Sequence, residues 1–311
     1  MLKIESLSFC YKNQVTNTIN SISFKLDKGG HLAIIGESGC GKSTLLKLIY
    51  GLLDANEGEI IWNNELVTGP KFNLVPGMPN MKYLAQDFDL MPYITVAENV
   101  GKYLSNFYPK EKRVRVEELL EVVEMEEFYN VKAKFLSGGQ MQRVALAKVL
   151  AKEPELLLLD EPFSHIDNFR KNSLRRNIFK YLKEKNITCI IATHDVNDSL
   201  SFSDEILVMK HGEIITKDLS VDVYKNKFDK YVASLFDDVS EVLIDGSIQL
   251  LYPHEFEIVD NSEIEVEVKK SYFKGNYFLI EGQFKNKPIF FNFEKSIEPE
   301  LKVYLKKKSR N

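Results

Sequence analysis

A chain of 311 residues with 41 basic and 45 acidic side chains has room for one to three domains and carries a net charge of only −4. Near-neutrality gives no support to a nucleic-acid binder that works by releasing counterions. Cys10, Cys40 and Cys189 lack metal-ligand spacing and read as reduced thiols of a cytosolic protein; no signal peptide or bilayer-spanning run is visible, so membrane association is expected only through a partner.

In chain order, residues 2–11 and 19–26 alternate apolar and polar side chains, which predicts antiparallel strands joined across the polar stretch 12–17. Tyr11 closes the first strand, where its ring can cover a sheet edge or stack on a flat base. The apolar run from His31 to Ile35 then feeds Gly36-Glu37-Ser38-Gly39-Cys40-Gly41-Lys42-Ser43-Thr44, and a helix follows from Thr44 to Tyr50, stopped at Gly51. Without Cβ atoms, Gly36, Gly39 and Gly41 allow the backbone to aim successive N–H groups at a phosphate. Lys42 can reach the β and γ phosphates, and the Ser43 hydroxyl can bind Mg²⁺. This stretch predicts a cradle for a nucleoside triphosphate.

A turn and strand at 57–62 lead into residues 68–80, where prolines and glycines forbid a regular element. Lys82 to Ala85 predicts a strand, followed at once by Gln86. From Thr95 the pattern is helical, and between Glu111 and Phe128 it places Val116, Leu119, Leu120 and Val123 on one face of an inserted helical region. Ser137 is an N-cap candidate for a helix whose first turn is opened by two glycines, and such an end attracts anions, so a second phosphate contact is expected there. Leu156 to Leu159 predicts a central strand capped by Asp160 and Glu161. Asp160 suits Mg²⁺ and Glu161 can take a proton from an attacking water. Leu174, Ile178, Tyr181 and Leu182 share a helix face, and the strand 188–192 delivers His194 to the same sheet edge as a γ-phosphate sensor. A hairpin at 206–215 and a helical stretch 221–235 close a first domain, 1–235. Beyond 236, alternation at 264–268, 277–280, 288–293 and 301–305 predicts a small antiparallel, barrel-like domain, with the basic run from Lys306 to Arg310 as a solvated end.

Together these stretches resemble the ATP-binding cassette of ABC transporters. Gly36–Thr44 matches the Walker A loop, Gln86 the Q-loop, Leu136–Gln140 the LSGGQ signature, Leu156–Glu161 the Walker B strand with its catalytic glutamate, Ser164–Asp167 the D-loop and His194 the H-loop. The resemblance implies an α/β phosphate-loop NTPase fold: a RecA-like core with an antiparallel β subdomain and an inserted helical subdomain. It also implies Tyr11 as the adenine platform, ATP and Mg²⁺ as cofactors, Ser43, Gln86 and Asp160 toward the metal, and Glu161, His194, Gln86 and Lys42 in catalysis. Two cassettes pair head to tail in this family, so Ser137, Gly139 and Gln140 of one subunit are expected over the ATP of a second copy or a paralogous cassette. The stretch 90–100 is similar to importer cassettes, where this surface meets a permease. Leu251–Glu255 resembles part of their accessory domain, although Tyr252 stands where arginine is usual, and the D-loop has His165 where alanine is usual. The implied function is ATP-driven import at the cytoplasmic face of the membrane, with permease subunits and a substrate-binding protein and without nucleic acid. The alternative, a non-transport clamp on nucleic acid or ribosome, generally brings fused cassettes with a basic linker or a long coiled coil, and neither is present.

Overall fold

The computed structural model describes residues 1–244 and 246–308 and divides into two compact units, Met1–Val221 and Asp222–Asn311. The first half of unit one comprises β1 (Leu2–Phe9), β2 (Ile19–Leu26), β3 (His31–Ile35), α1 (Lys42–Ile49), β4 (Glu57–Trp62), β5 (Glu65–Leu66), β6 (Met81–Leu84), α2 (Val96–Val100) and α3 (Pro109–Val122). The second half adds α4 (Gly138–Leu150), β7 (Leu156–Asp160), α5 (Asn168–Glu184), β8 (Thr188–Ala192), α6 (Val196–Phe202), β9 (Glu205–Lys210), β10 (Glu213–Leu219) and the start of α7 (Ser220–Asn226).

A six-stranded sheet in the order β10-β9-β3-β8-β7-β6 carries the unit, and every pair is parallel except β10 with β9. All residues of β3, β7 and β8 are buried, as expected of parallel strands covered on both faces. A second, antiparallel sheet runs β2-β1-β4-β5. Its inward residues, among them Ile4, Ile22, Ile60 and Trp62, share one core with Leu32, Ile34, Leu45, Leu46 and Leu158. The helical region starts at the Thr95 N-cap, whose side chain accepts from the Glu98 amide while Glu98 accepts from the Thr95 amide. As its spacing predicts, Val116, Leu119, Leu120 and Val123 are buried. The amphipathic helix ends at Val122, and a separate turn covers Glu126–Phe128, because Glu124 takes a left-handed φ of 56°.

Unit two holds α8 (Lys230–Ser234), the hairpin β11 (Ser240–Ile244) and β12 (Ser247–Leu251), and a five-stranded antiparallel sheet. That sheet contains β13 (Phe256–Val259), β14 (Ile264–Phe273), β15 (Phe278–Phe284), β16 (Lys287–Phe293) and β17 (Lys302–Lys307), in the order β13-β17-β14-β15-β16. The all-β reading of this part holds, around a core that includes Val266, Val268, Ile280, Phe291 and Leu305. Two expectations change. The stretch 221–235 is two helices, since Lys227 has a left-handed φ of 46° and Asp229 caps the second helix on the Val232 amide. It also belongs mostly to unit two, so the break between units precedes the expected 235/236 boundary. The reason is local: Tyr224 stacks on the fully buried Tyr252 at 4.8 Å, and Lys227 pairs with Glu255. In the basic run Lys306 and Lys308 are exposed, as expected of a solvated end, while the backbones of Lys306 and Lys307 pair with Glu257 and Phe256 in the sheet; Ser309 and Arg310 lie outside the described residues.

Candidate functional site

The carboxyl ends of β3, β6, β7 and β8 lie flush, with Ile34 and Asp160 both in register with Ala192 and Leu84 with Leu159. Ligands of parallel α/β sheets bind at such an edge. From β3 the chain enters the glycine loop. Gly36 has φ +150°, and a Cβ there would lie 2.2 Å from the Met209 carbonyl oxygen; Gly41 has φ +110°, and a Cβ would lie 2.8 Å from the Thr18 carbonyl oxygen. Side chains at either position would push the loop off its supports. Gly41 is also the N-cap of α1 and provides no side-chain cap, so the first turn keeps backbone donors for an anion in the loop.

Lys42 Nζ lies back across this loop, donating to the carbonyl oxygens of Gly36 (2.7 Å) and Glu37 (2.9 Å). Ser43 Oγ donates to Asp160 Oδ1 at 2.9 Å, which brings the first turn of α1 and the end of β7 together. A hydroxyl and one carboxylate are hard oxygen donors, and Mg²⁺ is commonly bound through one or two carboxylates plus substrate phosphates, so this pair fits that ion. Burial pushes the Cys40 thiol up, despite the neighbouring Lys42, which keeps it protonated. Ser38 and Gly39 complete the loop, and Thr44 shares a 3.1 Å hydrogen bond between hydroxyls with Tyr11.

Tyr11 is thus anchored to the phosphate loop, but it lies beyond β1, which ends at Phe9; its ring meets Phe9 edge-on at 4.8 Å. Tyr11→Ala is expected to weaken ATP binding by about 1–3 kcal/mol, the range for a base stacked on an aromatic, and Tyr11→Phe to retain most of the affinity. Calorimetry that finds Ala, Phe and wild type equal would reduce the ring to sheet packing.

Glu161 follows Asp160 with a left-handed φ of 50°, while its N–H donates to the Ala192 carbonyl (2.9 Å). This turn brings its carboxylate within 2.8 Å of His194 Nδ1, the residue released by β8. The imidazole is largely exposed, but both residues beside it are fixed. Thr193 Oγ1 donates to Asp198 and accepts from the Asp195 amide, and the buried Arg175 pairs with both Asp195 and Asp198 at 2.5 Å. Burial raises the Asp198 carboxyl to about 6, against the pull of Arg175. Gln86 stands exposed in the turn after β6, on the same edge.

Ser137 caps α4 in a reciprocal capping box: its hydroxyl accepts from the Gln140 amide, and Gln140 Oε1 accepts from the Ser137 amide (2.8 Å). Among the described residues no hydrogen bond joins Ser137, Gly139 or Gln140 to Lys42, Ser43 or Asp160. Gly139 instead packs on the 164–167 turn, where a Cβ would lie 2.7 Å from the His165 carbonyl oxygen.

Several supports escaped the sequence reading. Gln142, buried, donates to the Glu161 carbonyl (3.0 Å) and accepts from the His165 amide (3.0 Å), tying α4 to the turn that follows β7. Its position one helical turn after Gly139, next to the apolar run Val144–Ala147, was the available signal. Lys148, also on α4, pairs with Asp89 at 2.8 Å, and Phe88 meets the His165 ring edge-on at 5.4 Å, so the segment after Gln86 touches both α4 and the D-loop. Arg175 and Asp198 gave no local signal, because only the fold brings them together.

Residues 19–164 match the family model for ABC transporters. The chain is 31% identical to the Fe(3+) ions import ATP-binding protein FbpC of Haemophilus influenzae strain 86-028NP, with 97% of this chain and 94% of the relative covered. The chain belongs to the ABC transporter family. It is an ATP-binding subunit and an ATPase. Among solved structures, the ATP-binding cassette MJ0796, in a dimeric post-hydrolysis state with ADP and Pi, is 30% identical with a TM-score of 0.63 over 71% of this chain and 99% of that one. The cbiO1 protein from Clostridium perfringens, part of the ABC transporter complex cbiONQ, is also 30% identical with a TM-score of 0.63, covering 73% of this chain and 91% of its own. Among the described residues of the present cassette, no helix is long and apolar enough to cross a membrane.

Proposed function

We propose that this cassette powers import: ATP closes a head-to-tail pair of copies, hydrolysis reopens it, and permease subunits convert the cycle into uptake. The observation that carries the reading is the junction at the sheet edge, where the Ser43–Asp160 hydrogen bond lies one residue from the Glu161–His194 pair. Ser43, Asp160 and Gln86 would hold Mg²⁺, which when bound neutralises charge on the phosphoryl oxygens. Lys42 and the amides of residues 36–44 bind and orient the β and γ phosphates, and Tyr11 takes the adenine. Glu161 accepts the proton of the attacking water, and His194 orients that carboxylate and senses the γ phosphate. Ser137, Gly139 and Gln140 complete the site of the second copy through the capped end of α4.

Import as the direction is supported by the name of the FbpC relative, assembly with other transporter subunits by the membership of cbiO1 in the cbiONQ complex, and permease partners by the likeness of residues 90–100 to importer cassettes; a substrate-binding protein belongs to the same proposal. The place of work is then the cytoplasmic face of the membrane, reached through the permease. Residues 222–311 act as an accessory β unit. The test is phosphate release from ATP by the purified chain, together with its recovery in membranes of cells with and without the permease. Mg²⁺-dependent release that EDTA stops, and recovery that requires the permease, are the expected results; a membrane-independent chain would remove the transport role.

A further inference from the structure

We infer that Tyr83 is a positioning residue for the metal-binding carboxylate, an inference that rests on the assignment of Asp160 to Mg²⁺. Asp160 Oδ1 accepts from Ser43, and its other oxygen, Oδ2, accepts from the Tyr83 hydroxyl at 3.2 Å. The two donors come from different elements, α1 and β6, so each oxygen of this almost fully buried carboxylate has its own tether.

Strand geometry explains why a tyrosine at this position can reach. Tyr83 is in register with Leu158 on the adjacent parallel strand, and Asp160 lies two residues farther along the same face. Two residues of strand span roughly 6.6 Å, about the length of a phenol side chain leaning toward the carboxyl end. A shorter hydroxyl at position 83 would stop beside Leu158.

A partly buried phenol favours some partner, and any acceptor would satisfy it. This acceptor is special in what it must do: a carboxylate at a cation site serves best when its plane is already set, and outer hydrogen bonds to ligating groups set it. With one donor on each oxygen, rotation about the Asp160 side chain breaks at least one bond. A phenol is protonated at neutral pH without any help from its surroundings, so the Tyr83 hydroxyl is the donor of this bond. The ring itself packs against Tyr50 at 5.6 Å. Phenylalanine therefore keeps the packing and removes only the tether.

The experiment titrates Mg²⁺ against the full-length protein with a non-hydrolysable ATP analogue and follows binding by calorimetry, with parallel measurements in EDTA. Tyr83→Phe is expected to raise the Mg²⁺ concentration at half-maximal binding by about tenfold, the lower end for loss of an outer hydrogen bond at a metal site. Its affinity in EDTA should stay within about twofold of wild type, as expected when the metal-independent contacts are intact. Tyr50→Phe should leave the Mg²⁺ curve in place. In the Asp160→Asn background, Tyr83→Phe should add little, because both changes act on one carboxylate. A Tyr83→Phe curve superimposed on wild type, or an equal loss with and without Mg²⁺, overturns the inference and leaves Tyr83 as packing. If Asp160→Asn shifts the Mg²⁺ curve while Tyr83→Phe does not, the Tyr83 assignment alone is wrong; if Asp160→Asn shifts nothing, the metal assignment falls and takes this inference with it.

Discussion

Glu161→Gln is expected to lower ATP turnover by about 10²–10⁴-fold, the range for loss of a positioned general base, while leaving ATP affinity nearly unchanged. The structure supports this separation of effects. Glu161 contributes its carboxylate to the contact with His194, whereas its backbone maintains the turn through the bonds to Ala192 and Gln142. Glutamine retains the length and the backbone bonds and removes only the basicity. Phosphate release and ATP binding are to be measured on the same preparation. Unchanged turnover would remove Glu161 from the role of base and leave His194, its 2.8 Å neighbour, as the next candidate.

The same variant exposes the second large effect. With hydrolysis blocked, ATP bound between two copies should stabilise the pair, since a ligand that binds the assembled form more tightly than the monomer draws the equilibrium toward it. Light scattering should show a dimer with ATP and a monomer without. Adding Ser137→Arg should abolish that dimer and spare most binding to the monomer, because the capping box at Ser137 has no hydrogen bond to the phosphate loop of its own chain among the described residues. The complementation is sharper still. Lys42→Ala and Ser137→Arg subunits should each be almost inactive alone. In the mixed dimer of a two-fold arrangement, one site inherits both defects and the other neither, so activity should return in part. A Glu161→Gln protein that stays monomeric at saturating ATP would instead call for a pair held by the permease or a paralogous partner.

The sequence was most legible where function is written in short, local stretches. The run from His31 to Thr44 shows strand, loop and helix start because a fully buried parallel strand is continuously apolar and a phosphate loop needs glycine where Cβ would collide. Thr188–Ala192 was bounded correctly for the same reason. Legibility ended where partners lie far apart along the chain. Tyr83 looks like any strand aromatic until Asp160 is placed beside it, and Arg175 looks like a helix surface residue until α6 folds over it. The strands of the hairpin β11–β12 and the short β13 were not foreseen, since they are brief and partly exposed. Charge at Lys306 and Lys307 shows the solvated side chains but hides the strand, because their backbones complete a sheet whichever way the ammonium groups point.

That last point has a consequence for synthesis. β17 lies between β13 and β14, antiparallel to both, although it follows every other strand of its sheet in the chain. While the ribosome is still making residues 274–301, β13 and β14 each present a bare edge of unpaired backbone, and the sheet exists only as pieces. Open edges of this kind invite pairing with other nascent chains. The sheet of the small unit is therefore completed only once residues 302–307 have been made, and until then its two halves have no strand to join them.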